Sequence, residues 1–136
     1  ILDFLQSLST SAPRPSVSDW WYISRSYGGQ PRTLSVTEQI LDDRYSLGKS
    51  LKISQVQALA SKTRSPRRNA LILVLTAAEV AVEGFCVSRC GTHGHDADLV
   101  YGWVGNSASQ CPGQCAWPFH QPVYGPQAPP KIPPNG

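Results

Sequence analysis

Two Cys-x3-Cys pairs, Cys86/Cys90 and Cys111/Cys115, constrain this chain more than any other feature. They hold all four of its cysteines and flank a hydrophobic, strand-like run, so they either clamp that strand covalently or hold a metal. Four cysteines permit three disulfide connectivities or one four-thiolate site, and structural zinc tolerates pairs spaced Cys-x2–4-Cys. In the chain-entropy description, closing the short Cys86 to Cys90 loop stabilises by roughly 2 kcal/mol, whereas a Cys90 to Cys111 loop gives roughly 3.5. Bonds between the two blocks are therefore the better staples. A nested arrangement, Cys90 with Cys111 inside Cys86 with Cys115, would tie both ends of the strand over residues 99–104 to its neighbour, and the spacing alone leaves the connectivity open.

The rest of the chain sets milder limits. At 136 residues it fits one domain, which the sequence places at residues 1–120, with residues 121–136 as a proline-rich extended tail. The net charge of +3 comes mostly from one basic run between Lys62 and Arg68. That run contains no aromatic residue, which argues against nucleic acid as a partner and for a solvated loop. No apolar run approaches eighteen residues, so no membrane span is expected. Ile1, Leu5 and Leu8 fall as though the chain enters midway through an amphipathic helix, which points to a processed or fragmentary N-terminus.

Local patterning gives an α/β (α+β) fold, a mixed sheet with helices on one side. The run from Ser9 to Pro15 breaks the first helix, and Ser16 stands as the N-cap of a second. That second helix carries Val17, Trp20, Trp21 and Tyr27 and stops at Gly28-Gly29. Residues 33–36 are β-branched enough for a short strand, and residues 54–62 read as a helix capped by Ser54, with Gln57 closing a capping box. Ala70 to Leu75 is apolar throughout and is expected as the central strand of the sheet, buried on both faces. Residues 78–83 and 99–104 supply further strands.

Several residues are candidates for chemistry. His93, His95 and His120 are the candidate metal ligands, and the sequence reading lets His93 and His95 chelate together only where Gly94 bends the backbone. His93 is otherwise expected to hydrogen-bond within a disulfide loop, with His95 and Asp96 on its surface. Trp20, Trp21, Trp103, Trp117 and Tyr124 have flat faces that stack on sugar rings when exposed, although packing in a core is their commoner use. Gly105-Asn106-Ser107-Ala108 lacks the second glycine of a nucleophile elbow. The carboxylate pairs Asp42/Asp43 and Glu79/Glu83 are not placed across a cleft by any pattern. Neither a catalytic constellation nor a cofactor site is expected within these residues.

Longer motifs carry a resemblance. Leu47-Gly48-Lys49-Ser50-Leu51, the run from Val74 to Cys86, and Ser88-Arg89-Cys90-Gly91-Thr92-His93-Gly94 resemble the plant phosphate-induced/EXORDIUM family. So do Trp103-Val104-Gly105-Asn106-Ser107 and the block from Gln110 to Pro122. The resemblance implies a secreted protein of the apoplast or cell wall, linked to cell expansion and to growth or stress responses, with no firm enzymatic activity. It favours disulfides over a metal at the four cysteines, because extracellular thiols are oxidised. It implies that the chain is about the N-terminal half of the family domain. Its expected partners are a wall polysaccharide, an extracellular protein or a companion C-terminal chain of the same precursor. A more remote similarity, to bacterial relatives with a His-Glu-x-x-x-Glu-like helix further on, implies a degenerate zincin-like sheet built on residues 71–75 and 99–104. The alternatives to a wall-binding module are then a fragment of a metal-dependent hydrolase or a carbohydrate-binding defence protein.

Overall fold

The computed structural model describes residues 1–27, 33–63, 70–96 and 98–116. The Gly28-Gly29 stop, the arginines of the basic run and the tail lie outside the described residues. The chain divides into two compact units, Ile1–Leu41 and Asp42–Gly136.

The first unit is helical. Helix α1 spans Leu2–Ser7 and α2 spans Val17–Tyr22, continued by a 3-10 turn over Ile23–Tyr27. Ser16 caps α2 as its sequence position predicts: its Oγ accepts the Asp19 N–H at 3.1 Å, and the Asp19 carboxylate accepts the Ser16 N–H at 3.2 Å. This reciprocal pair satisfies donors that a helix start leaves open. Residues 33–36 form no strand. Leu34 is instead tied to Ser9, whose Oγ accepts the Leu34 N–H at 2.8 Å and donates to its carbonyl at 3.0 Å. Those bonds replace the ladder that the β-branched residues would need.

The second unit holds the sheets. Strands β1 (Ser50–Leu51) and β3 (Ala81–Val82) pair in parallel, and β2 (Leu71–Leu75), β4 (Gly91–Asp96) and β5 (Leu99–Val104) form a three-stranded sheet in the order β2-β5-β4. Strand β5 runs parallel to β2 and antiparallel to β4, so the sheet is mixed, as expected. Helix α3 (Ile53–Ala60) packs against β2 and β5. It begins one residue before the predicted start, because Gln55 rather than Gln57 turns back to accept a backbone N–H, that of Lys52 at 2.8 Å.

Two expectations about the sheet need correction. Among the described residues β2 is an edge strand and β5 is the central one. β2 is also covered on one face only: Ile72 and Val74 pack against the core while Leu71, Leu73 and Leu75 are exposed. An uninterrupted apolar run cannot report which of its faces is covered, and that ambiguity misplaced the strand. The alternating edge strand expected over residues 78–83 shortens to the two residues of β3.

The core of this unit gathers Leu51, Val56, Ala60, Val80, Val82, Phe85, Tyr101, Trp103 and Cys111. Trp103 and Val56 are its largest fully buried side chains. The Phe85 ring meets Trp103 edge to face at 5.5 Å between centroids and lies against Gly105, where an added Cβ would sit 2.4 Å from Phe85 Cζ. That contact explains the glycine in Trp103-Val104-Gly105-Asn106, since no larger residue fits without displacing the ring. Gly105→Ala is expected to destabilise the protein by about 1–3 kcal/mol through overpacking, read from denaturant unfolding with the cystines intact.

Candidate functional site

The half of the second unit richest in chemistry-bearing residues is built around two turns. The Gly84 carbonyl accepts N–H groups from Val87, Ser88 and Arg89 at 3.2, 2.9 and 3.2 Å, which curls residues 84–89 tightly. Cys86 inside that curl has φ +65°, a left-handed conformation that a non-glycine residue rarely adopts. After β5 the chain makes two short helical turns, α4 (Ser107–Gln110) and α5 (Pro112–Cys115), and the Cys115 N–H bonds to the Cys111 carbonyl at 3.0 Å. Cys111 and Cys115 are thus one helical turn apart and share a face.

The two blocks are joined in order. Cys86 is bonded to Cys111 and Cys90 to Cys115, each across 25 residues, with Cα separations of 5.6 and 5.4 Å. Of the pairings that the spacing left open, the nested one is not the one formed. Nesting would need the turns to run antiparallel, whereas the curl at 86–90 and the turn at 111–115 lie side by side in the same sense, first cysteine to first and second to second. Cys90 immediately precedes β4, so the second bond fixes the start of that strand, while the first holds Cys111 in the core.

Strand β4 carries the histidines. His93 and His95 are both exposed, and their register opposite Gly102 and Val100 puts them on the sheet face away from α3. No bend at Gly94 is involved, since residues two apart on a strand already share a face. Gly94 instead makes room for Tyr101, whose Oη would lie 2.8 Å from an added Cβ. Among the described residues, no group of three or more His, Cys, Asp or Glu side chains is placed to hold a metal ion. His120 lies outside the described residues. Asp96 accepts a hydrogen bond from Gln57 Nε2 at 3.3 Å, which links the end of β4 to α3.

The aromatic candidates separate sharply. Trp103 is 1 % exposed, and its indole N–H donates to Thr76 Oγ1 at 3.2 Å, so it offers no face to a sugar. Trp20, in the first unit, is 62 % exposed and lines an open groove of about 450 Å³ with Phe4, Pro15, Ser16 and Val17. Its neighbour Trp21 is half-buried. Trp117 and Tyr124 lie outside the described residues.

One polar cluster went unseen in the sequence. The Tyr45 hydroxyl donates to Glu79 Oε1, and the Lys49 ammonium lies 4.3 Å from the centre of the Tyr45 ring. Tyr45 sits at φ +50°, in a turn held by Asp42, whose carboxylate accepts the Ser46 N–H at 3.0 Å and the Ser46 hydroxyl at 2.6 Å. The Tyr45 hydrogen bond holds the Glu79 carboxyl below the usual carboxylate range and pushes the Tyr45 phenol up. The bonds from the Ser46 side chain and backbone lower Asp42 in the same way. These contacts tie the loop before β1 to the loop before β3, a connection across 34 residues that no local pattern signals.

The pattern described as "Phosphate-induced protein 1 conserved region" matches residues 1–136. The chain belongs to this family. It is 51 % identical to Protein EXORDIUM-like 4 of Arabidopsis thaliana, across 100 % of this chain and 51 % of that protein. It is 48 % identical to Protein EXORDIUM of the same plant, across 99 % of this chain and 49 % of that one. Protein PHOSPHATE-INDUCED 1 of Nicotiana tabacum is 47 % identical, across 99 % and 48 %. The chain therefore spans about half the length of the curated relatives it matches. No solved structure matches it.

The Tyr45 tie makes a pH prediction. Glu79 is depressed in the folded state, so its contribution is present above the unfolded pKa and is lost as pH falls through the folded value. Tyr45→Phe should raise the Glu79 titration toward the ordinary glutamate value in a carboxyl NMR titration. An unchanged Glu79 midpoint would show that the hydrogen bond does not form in solution.

Proposed function

We propose that this chain works outside the cell, in the plant cell wall or apoplast, as a cystine-braced module that acts in growth or expansion by binding rather than by catalysis. The observation that carries this reading is that all four cysteines are paired, in two bonds whose formation requires an oxidising compartment. The names of the relatives, phosphate-induced and EXORDIUM-like, agree with a role in growth and nutrient response.

The binding component is assigned to the Trp20 groove. A protruding indole beside Phe4 and Val17 presents an apolar plane of the kind that stacks on the C–H face of a pyranose ring. Ser16, which lines the groove, is engaged with Asp19 in the α2 capping pair, so the aromatic plane is the dominant contact it offers. A wall polysaccharide is the partner of that chemistry.

Retention of the protein on insoluble wall polysaccharide tests the reading. Trp20→Ala should reduce retention about tenfold, as loss of one aromatic contact of this size does, while Trp103→Phe, in the core, should leave it unchanged once folded protein is selected. Equal retention of wild type and Trp20→Ala would remove the groove from the account, and recovery of the protein with reduced thiols from its native tissue would remove the compartment.

A further inference from the structure

The open face of the three-stranded sheet is apolar along two adjacent strands. Register places Leu71 beside Val100, Leu73 beside Gly102 and Leu75 beside Val104, all on the face away from α3. The five large side chains are 40 to 59 % exposed, and Leu73 Cδ2 leans over the bare backbone of Gly102. On the other side of the same strands Ile72, Val74, Tyr101 and Trp103 belong to the core. β2 and β5 are thus apolar on both faces and covered on one.

A parallel strand pair with apolar residues on both faces is the composition of a strand inside a two-sided α/β layer, not of a sheet that faces water. The edge of β2 agrees. Among the described residues no strand pairs with its outer side, and the five residues of Leu71–Leu75 include no charge, proline or glycine to discourage pairing. Along β4, by contrast, the same face ends in exposed His93 and His95, a polar border on one side only.

We propose that this face and the free edge of β2 are the seat of the half of the family polypeptide that the chain does not span. The relatives are about twice as long as the matched region, so the missing half is of domain size. In a continuous chain it would be held next to the sheet at high effective concentration, which favours it over a second copy of the same face. Its docking element is an apolar helix or strand laid over β2 and β5, with its polar margin at His93 and His95. The inference rests on family membership and is independent of the wall reading.

Co-expression tests it. The 136-residue chain is secreted from an oxidising host together with the unmatched half of Arabidopsis EXORDIUM-like 4, and the pair is recovered through a tag on one partner. The wild-type chain and Val87→Lys, a substitution at an exposed site in the cystine curl, should recover the partner equally. Leu73→Lys and Val100→Lys should each lower recovery at least tenfold while keeping both cystines, and hydrogen exchange in β2 should slow in the pair. Absence of a pair with the wild-type chain, or recovery that Leu73→Lys and Val100→Lys leave intact, would overturn the proposal. So would a homodimer of the isolated chain that Leu73→Lys abolishes, since a second copy would then own the face.

Discussion

Cys111 and Cys115 stand one helical turn apart, and opposite them the Gly84 curl presents Cys86 and Cys90 with matching spacing and sense. The rest of the second unit depends on this double lock. It holds Cys86 in a left-handed conformation and places Phe85 against Trp103 and Gly105. It also sets where β4 begins. A strand made of Gly-Thr-His-Gly-His-Asp has little intrinsic reason to be a strand, with two glycines and no apolar alternation. Fixing Cys90 beside the turn that follows β5 delivers those residues to the edge of β5, where the backbone ladder forms. Each bond closes a loop of about 25 residues, worth roughly 3.5 kcal/mol taken singly and less together because the loops overlap.

Packing of α3 and the core on one side gives the sheet unlike faces. The side toward α3 is a packed core with Trp103 and Val56 fully buried, while the other carries leucines and valines in the open with two histidines along one border. Such an asymmetric sheet belongs to a layer rather than to a surface. The chain spans about half the length of its relatives, and the proposed second layer is what would cover this face. Catalytic or ligand chemistry that needs the second layer would then be built across both halves, whereas the Trp20 groove lies wholly within the first unit of this chain.

How much of this was legible in the sequence differs from element to element. The α2 cap was, because Ser16 and Asp19 act locally, and so was the α/β class. β5 was as well, as a short run rich in β-branched and aromatic residues, although its sequence, apolar on both faces, did not show which face is covered. The β2 run showed a strand but not its place, since apolar residues on both faces look the same whether one or both are covered. β4 was missed altogether because its strandedness is tertiary, imposed by Cys90 and β5 rather than by its own residues. The Tyr45 to Glu79 bond was invisible for the same reason, being a contact across distant loops. Trp103 and Trp20 looked alike as aromatics in the sequence, and only packing separates the core indole from the exposed one.

The in-order pairing of the cysteines is the claim on which these arguments rest, and peptide mapping under non-reducing conditions tests it most directly. Cleavage after Arg89 separates Cys86 from Cys90, and fragmentation between Cys111 and Cys115 separates the other pair. The account predicts one linked peptide joining Cys86 to Cys111 and another joining Cys90 to Cys115. Peptides linking Cys90 to Cys111, or bonds within either Cys-x3-Cys block, would contradict it.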